Sequence, residues 1–169
     1  MSDPAADFLR LSRHYLREYV AKIGHCLERL PEQDLWWKPN DASNSAGNLL
    51  LHLRGNVRQW ILTGIGGQAD ARDRDSEFAA ESGANGEELM AGLRETLEEV
   101  DRFLAELPAE RLGQSCTIQG REFSAQEAVY HVVEHFAMHA GQILWITKAR
   151  AGEDLGFYGF QDGVPRAQW

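Results

Sequence analysis

Hydrophobic residues recur every three or four positions through most of the chain, the period of an amphipathic helix. Near the N-terminus, Phe8, Leu11, Tyr15, Leu16, Tyr19, Val20, Ile23 and Leu27 follow it. Asp3 and Pro4 supply a capping residue and a first-turn proline, and the helix stops before Pro31. A second helix is predicted over SAGNLLLHLRGNVRQWILTGI, capped by Ser43, Asn44 or Ser45 and ended by Gly66-Gly67. A third runs from about Gly86 to Leu107, with Leu89, Leu93, Leu97, Val100 and Leu104 on one face and Pro108 closing it. Ser124-Ala-Gln-Glu127 has the form of a capping box and opens a fourth helix reaching about Ala151.

The connections are less regular. SCTIQGREFS is predicted to form a short two-stranded hairpin around Gln119-Gly120. The polar stretch GQADARDRDSEFAAESGAN is longer than most loops of compact domains, which makes it a functional loop or an ordered crossover. The tail from about residue 152 to 169, rich in glycine and aromatics, is predicted to be irregular. Together these elements predict an all-α fold, a four-helix bundle with a short β-hairpin before the last helix. One domain is expected over residues 1–169, with a topology other than the simplest up-down arrangement.

Composition narrows the function classes. Hydrophobic residues make up 43% and charged residues 25%, ordinary for a globular protein. No apolar run approaches the length of a membrane span, and MSDPAADFLR lacks the basic and apolar regions of a signal peptide. The expected location is therefore the cytoplasm. The net charge of -9 argues against a nucleic-acid partner, which needs a basic footprint. Two isolated cysteines, Cys26 and Cys116, are too few for a disulfide framework or a thiolate metal site, and are expected to be reduced and packed.

The chemistry lies in the histidines. HVVEHFAMHAGQI places His131, His135 and His139 at intervals of four. Residues four apart on a helix are neighbours and can share one ion. Residues eight apart are separated by roughly 12 Å along the axis, so the ladder supplies two ligands rather than three. On the helical wheel His139 falls inside the apolar arc of Val132, Val133, Phe136, Ala140 and Ile143. His135 lies at the edge of that arc, about 40° away from His139, and His131 about 40° further out. The pair His135 and His139 is thus aimed inward, and His131 belongs to the surroundings or the surface. On the second helix His52 borders the apolar arc of Leu49, Leu53, Val57, Trp60 and Ile61 and is the candidate third ligand. Three histidines leave one position of a tetrahedral ion open, as catalytic sites require. His14 and His25 have no partner at ligand spacing and read as structural.

SNSAGNLLLHLRGNVRQWI, RDRDSEF, TIQGREFS and HVVEHFAMHAGQI, in this order from about Trp36 to Lys148, resemble the DinB-like superfamily and within it the DUF1572 branch. The resemblance implies a DinB/YfiT-like four-helix bundle. It implies a divalent metal, nickel or zinc, on His52, His135 and His139. It also implies a homodimer and, from bacillithiol and mycothiol S-transferases and a mycothiol-dependent maleylpyruvate isomerase in the superfamily, a low-molecular-weight thiol as co-substrate. The DUF1572 branch itself brings no settled activity.

Such an ion, held by neutral ligands, can lower the pKa of a bound water or bind a thiolate, so hydrolysis and thiol transfer to a small-molecule substrate both remain open, as does a non-catalytic metal-binding or structural dimer. Glu134 points about 100° away from His135 and reads as a surface carboxylate. No other carboxylate is expected on the inward faces of the two ligand helices, which weakens the hydrolase. Asn56 and Gln142, each one turn beyond a ligand, are candidates to orient substrate or water; both also fit interhelical hydrogen bonding. Gly141 suggests close helix packing. Arg72 and Arg74 are candidates to bind an anionic group, although RDRDSEF fits a salt-bridged, solvated loop better. Phe157, Tyr158, Phe160 and Trp169 suggest structural packing of the tail ahead of a pocket cover or a dimer contact.

Overall fold

The computed structural model describes residues 3–169. Helix α1 spans Pro4–Leu27, capped by the Asp3 side chain, which accepts from the Ala5 amide at 3.1 Å. Helix α2, Ala46–Val57, starts at a capping box of Ser45 and Asn48. It runs directly into a π-helical stretch, Arg58–Ile65, where the sequence predicted uninterrupted α-helix. The wider coil shows in the Gly66 amide, which bonds the Ile61 carbonyl five residues back at 2.9 Å. The short helix α3, Arg74–Ala79, comes next, then α4, Gly86–Glu106. Strands β1, Ser115–Ile118, and β2, Arg121–Ser124, precede the longest helix, α5, Ala125–Ala151.

Each of α1 and α2 packs against both α4 and α5. The sequence-consecutive helices α1 and α2 therefore sit on a diagonal of the bundle, the departure from simple up-down order that the long connection implied. The core between them holds Ile23, Leu49, Leu53, Ile61, Leu93, Leu104, Phe136 and Ile143, each at most 1% exposed. Among these, Phe136 sets the orientation of α5. A ring fully withdrawn from water stabilises the fold by about 1.5–3 kcal/mol, and it keys the helix against rolling. The neighbours His135 and His139 thereby keep a fixed direction.

Strands β1 and β2 pair antiparallel around Gln119 and Gly120, both with positive φ (52° and 73°), the geometry of a type I′ turn. The tail departs from the expectation of irregularity. Strands β3, Tyr158–Gln161, and β4, Val164–Ala167, form a second hairpin turning at Asp162-Gly163, again with both φ positive. Asp-Gly is a strong hairpin signal, and here it overrides the glycine-rich composition. The segment packs on α1. His25 donates to the Leu155 carbonyl at 2.6 Å, its ring meets Phe157, and Lys22 lies 4.4 Å over the Trp169 ring.

Cys26 is buried and Cys116 half-buried, and both are free. Burial pushes the Cys26 thiol up to about 11, so it is no thiolate nucleophile at neutral pH. No helix of the described residues is long and apolar enough to cross a membrane.

Candidate metal centre

Two helices bring three histidines together. His52 comes from α2, and His135 and His139 come one turn apart from α5. One ring nitrogen from each lies within 4.8 Å of the others. His52 Nε2 and His135 Nε2 are 2.9 Å apart across 83 residues of sequence. The His139 ring stands edge-on to both, with centroids 4.3 Å from His135 and 5.1 Å from His52. His52 and His139 are buried and His135 is half-buried.

The donor set fits a divalent ion. Two nitrogens at tetrahedral angles around zinc lie about 3.3 Å apart, so the 2.9 Å pair needs only a small opening. His135 and His139 are also available as neutral ligands. Burial, then the neighbouring His139, His52, His131 and Arg72, lower His135 to about 3. Burial also lowers His139 and His131. A neutral imidazole at pH 7 offers a lone pair, which a protonated one does not.

The supports behind the ligands come from separate places. His139 Nδ1 faces Gln142 Oε1 at 2.6 Å. This amide serves its own helix rather than bridging to another. Behind His52, at 3.0 Å from Nδ1, lies Glu77 Oε2 of α3. Glu77 is buried, and Arg72 grips both its oxygens, Nε to Oε1 at 2.7 Å and Nη2 to Oε2 at 2.8 Å. Burial alone would raise the Glu77 carboxyl, but hydrogen bonds from Arg72 and His52 hold it below the ordinary range. Phe78 covers the His52 ring at 4.7 Å between centroids.

RDRDSEF is salt-bridged, with Asp73, Arg74, Asp75 and Ser76 exposed, but it is largely helical and its ion pair is buried. Asp73 caps α3 by accepting from the Ser76 amide, and the alternating charges hide a buried ion pair. Arg72 is not free for an outside anion, because Glu77 and Gln59 occupy its donors. Arg74 lies exposed, 4.8 Å over the Phe78 ring. Glu77 is the residue that the sequence did not reveal, since it lies on neither ligand helix. The one local clue was the chain turning back here through an ordered crossover.

The structure also places the remaining candidates. His131 lies outside the cluster and stacks on Trp60 of the π-helical stretch at 3.9 Å. Glu134 is exposed. Asn56 is buried one turn beyond His52, and its Oδ1 has no hydrogen-bond partner, nor has the Trp60 Nε1 a turn further on. Gly141 does not mediate close packing within the chain: a Cβ added there would meet nothing within 4 Å.

The model of the family described as a protein of unknown function, DUF1572, matches residues 3–160. The chain belongs to the DUF1572 family. Solved structures agree on the fold. A conserved protein from Enterococcus faecalis superposes with a TM-score of 0.73 at 14% identity, over 85% of this chain and 97% of its own. A DinB-like protein from Bacillus subtilis gives 0.65 at 17% identity, over 85% and 93%. Another DinB-like protein, from Bacillus cereus, gives 0.63 at 16% identity, over 83% and 93%. No curated protein matches the chain in sequence. The fold is thus that of the DinB-like proteins, and the three-histidine cluster is compatible with a metal-binding protein.

Proposed function

We propose that His52, His135 and His139 hold one divalent ion, nickel or zinc, and that this protein is a metal-dependent enzyme transferring a low-molecular-weight thiol to a small-molecule electrophile. The observation that carries the reading is the convergence of three histidine nitrogens from two helices within 4.8 Å of one another. In such a site the ion supplies positive charge that keeps a thiol deprotonated at neutral pH.

The state of Glu77 favours thiol transfer over hydrolysis. Hydrolysis calls for a carboxylate or imidazole free to take a proton from water. Glu77 is bound on both oxygens by Arg72 and on one by His52, and it lies behind the ligand. A thiol gives up its proton far more readily than water does, so it depends less on such a base. Gln142 and Asn56 stand at the two ends of the cluster as residues to orient the substrate. Beside Gln142 a cavity of about 400 Å³ is lined by Leu49, Met138, Trp145, Ile146 and Ser43, with no charged side chain, and would admit a neutral, partly apolar molecule.

The reading extends to the assembly. Residues 1–169 form one DinB-like domain that acts in the cytoplasm as a homodimer. The exposed Tyr130, Met138 and Trp145 lie along the outer side of α5. Glu134 and Lys148 are equally spaced about Gly141, so that a second copy running antiparallel would pair them.

Elemental analysis of protein purified without an affinity tag tests the site. About one equivalent of metal is expected. His52→Ala and His139→Ala should each abolish it, and His131→Ala should keep most of it. Less than a tenth of an equivalent after adding nickel or zinc would sink the reading. Metal-dependent consumption of a thiol with a model electrophile tests the reaction. Sedimentation tests the dimer, which Tyr130→Glu, outside the cavity, should break.

A further inference from the structure

Resting on the proposed metal site, we infer that Glu77 is a positioning residue that fixes the His52 ring with its proton on Nδ1, so that the bare Nε2 faces the cluster. Four residues fix the place of Glu77, and of these Arg72 bonds the carboxylate itself. Arg72 holds both oxygens, and Gln59 Oε1 in turn accepts from Arg72 Nη1 at 2.9 Å. Asn48 of α2 donates from Nδ2 to the carbonyls of Glu77 at 2.9 Å and Ala80 at 2.7 Å, pinning the backbone of α3. Gly55 of α2 leaves the space. A Cβ there would stand 2.0 Å from Glu77 Oε1, so the carboxylate would have to leave its present position.

An ion pair needs only Arg72. The additional contact, Oε2 to His52 Nδ1 at 3.0 Å, is what the other three supports hold in place. It also decides the proton. Arg72 Nη2, with two hydrogens, lies 3.1 Å from Nδ1 as well as 2.8 Å from Oε2, so the arginine reaches both and it is the carboxylate at 3.0 Å that discriminates. Were Nδ1 bare, its lone pair would face the carboxylate at hydrogen-bond distance, like against like. With the proton on Nδ1 the imidazole donates to Oε2. A neutral histidine has one such proton, so Nε2 is bare. Carboxylates behind metal-bound histidines fix tautomer and ring orientation in this way.

The tautomer of His52 sets that of His135. The Nε2 of His135 lies 2.9 Å from the bare Nε2 of His52, so in the metal-free protein His135 carries its proton there and donates it. To become a ligand through that nitrogen it gives the proton up to water and takes one on Nδ1. His52 is preset and His135 must rearrange.

Long-range proton–nitrogen NMR of the metal-free, full-length protein reads the tautomers directly. The expected result is protonated Nδ1 and bare Nε2 on His52, with protonated Nε2 on His135. Zinc affinity, from competition with a chelating dye, gives the second arm. The double variant Glu77→Leu with Arg72→Met removes both charges at similar volume and so avoids leaving one buried and unpaired. It should bind zinc about 10–100-fold more weakly than the parent protein. Its His52 should lose the preference for protonated Nδ1. A bare Nδ1 on His52 in the parent protein overturns the inference, as does a folded double variant with affinity within about threefold of the parent. A parent protein that binds no zinc defeats the metal reading instead, and the tautomer of His52 still decides the role of Glu77.

Discussion

His52 and the pair His135 and His139 face each other across the seam between α2 and α5, but what stands behind them differs. His52 is backed by a buried carboxylate, itself clamped by an arginine and seated on a glycine. The α5 pair has only Gln142, an exposed amide one turn along the same helix. One side of the cluster is held by tertiary structure and charge, and the other by the rotation of a single helix keyed at Phe136. His52 is thus anchored from two elements, whereas the direction of His135 and His139 depends on α5 alone.

The largest expected contrast is in stability. Glu77→Ala leaves the Arg72 guanidinium buried and unpaired, which costs about 3–5 kcal/mol. Gln142→Ala removes an exposed partner and should cost less than about 1 kcal/mol. Urea denaturation of the metal-free proteins compares them, and equal losses would show that the two sides are supported alike.

A smaller contrast separates two glycines. Gly55→Ala should destabilise by about 1–3 kcal/mol because Glu77 has to shift. Gly141→Ala, where a Cβ meets nothing within 4 Å, should stay within about 0.5 kcal/mol of the parent in the same assay.

A further effect is graded with pH. His135 falls from 6.5 in the unfolded chain to about 3 in the fold. Above pH 6.5 both states are neutral and the residue contributes no slope. Below it the unfolded chain takes the proton first, so stability drops as pH falls from about 6.5 to about 3. His131 and His139 act in the same direction, since burial lowers both. The lowered Glu77 adds its own loss at the acid end, as protonation uncouples it from Arg72. Melting temperatures of metal-free protein should decline over this range, and less so in a His135→Gln variant.

The difference between the two sides also explains what the sequence made legible. The α5 half rests on helical period alone, so a wheel was enough to separate His135 and His139 from His131. The long helices, the capping boxes at Ser45 and Ser124 and the first hairpin obey equally local rules. The His52 half depends on a crossover that folds back onto α2. Arg72 and Glu77 carry charges that read as solvent-facing until Gly55 and Asn48 are seen to make room and anchorage for them. No local pattern contains that information. The π-helical stretch after Val57 was hidden because its hydrophobic spacing imitates an ordinary helix. The tail hairpin was written plainly in Asp162-Gly163, but glycine-rich composition masked it.

A crystal grown with zinc and measured at the zinc absorption edge tests the three-histidine centre most directly. One anomalous peak is expected between α2 and α5, about 2.0–2.1 Å from a nitrogen of each of His52, His135 and His139, with Glu77 still on His52 Nδ1. No peak there, or a peak coordinated by His131 in place of any of the three, would contradict it.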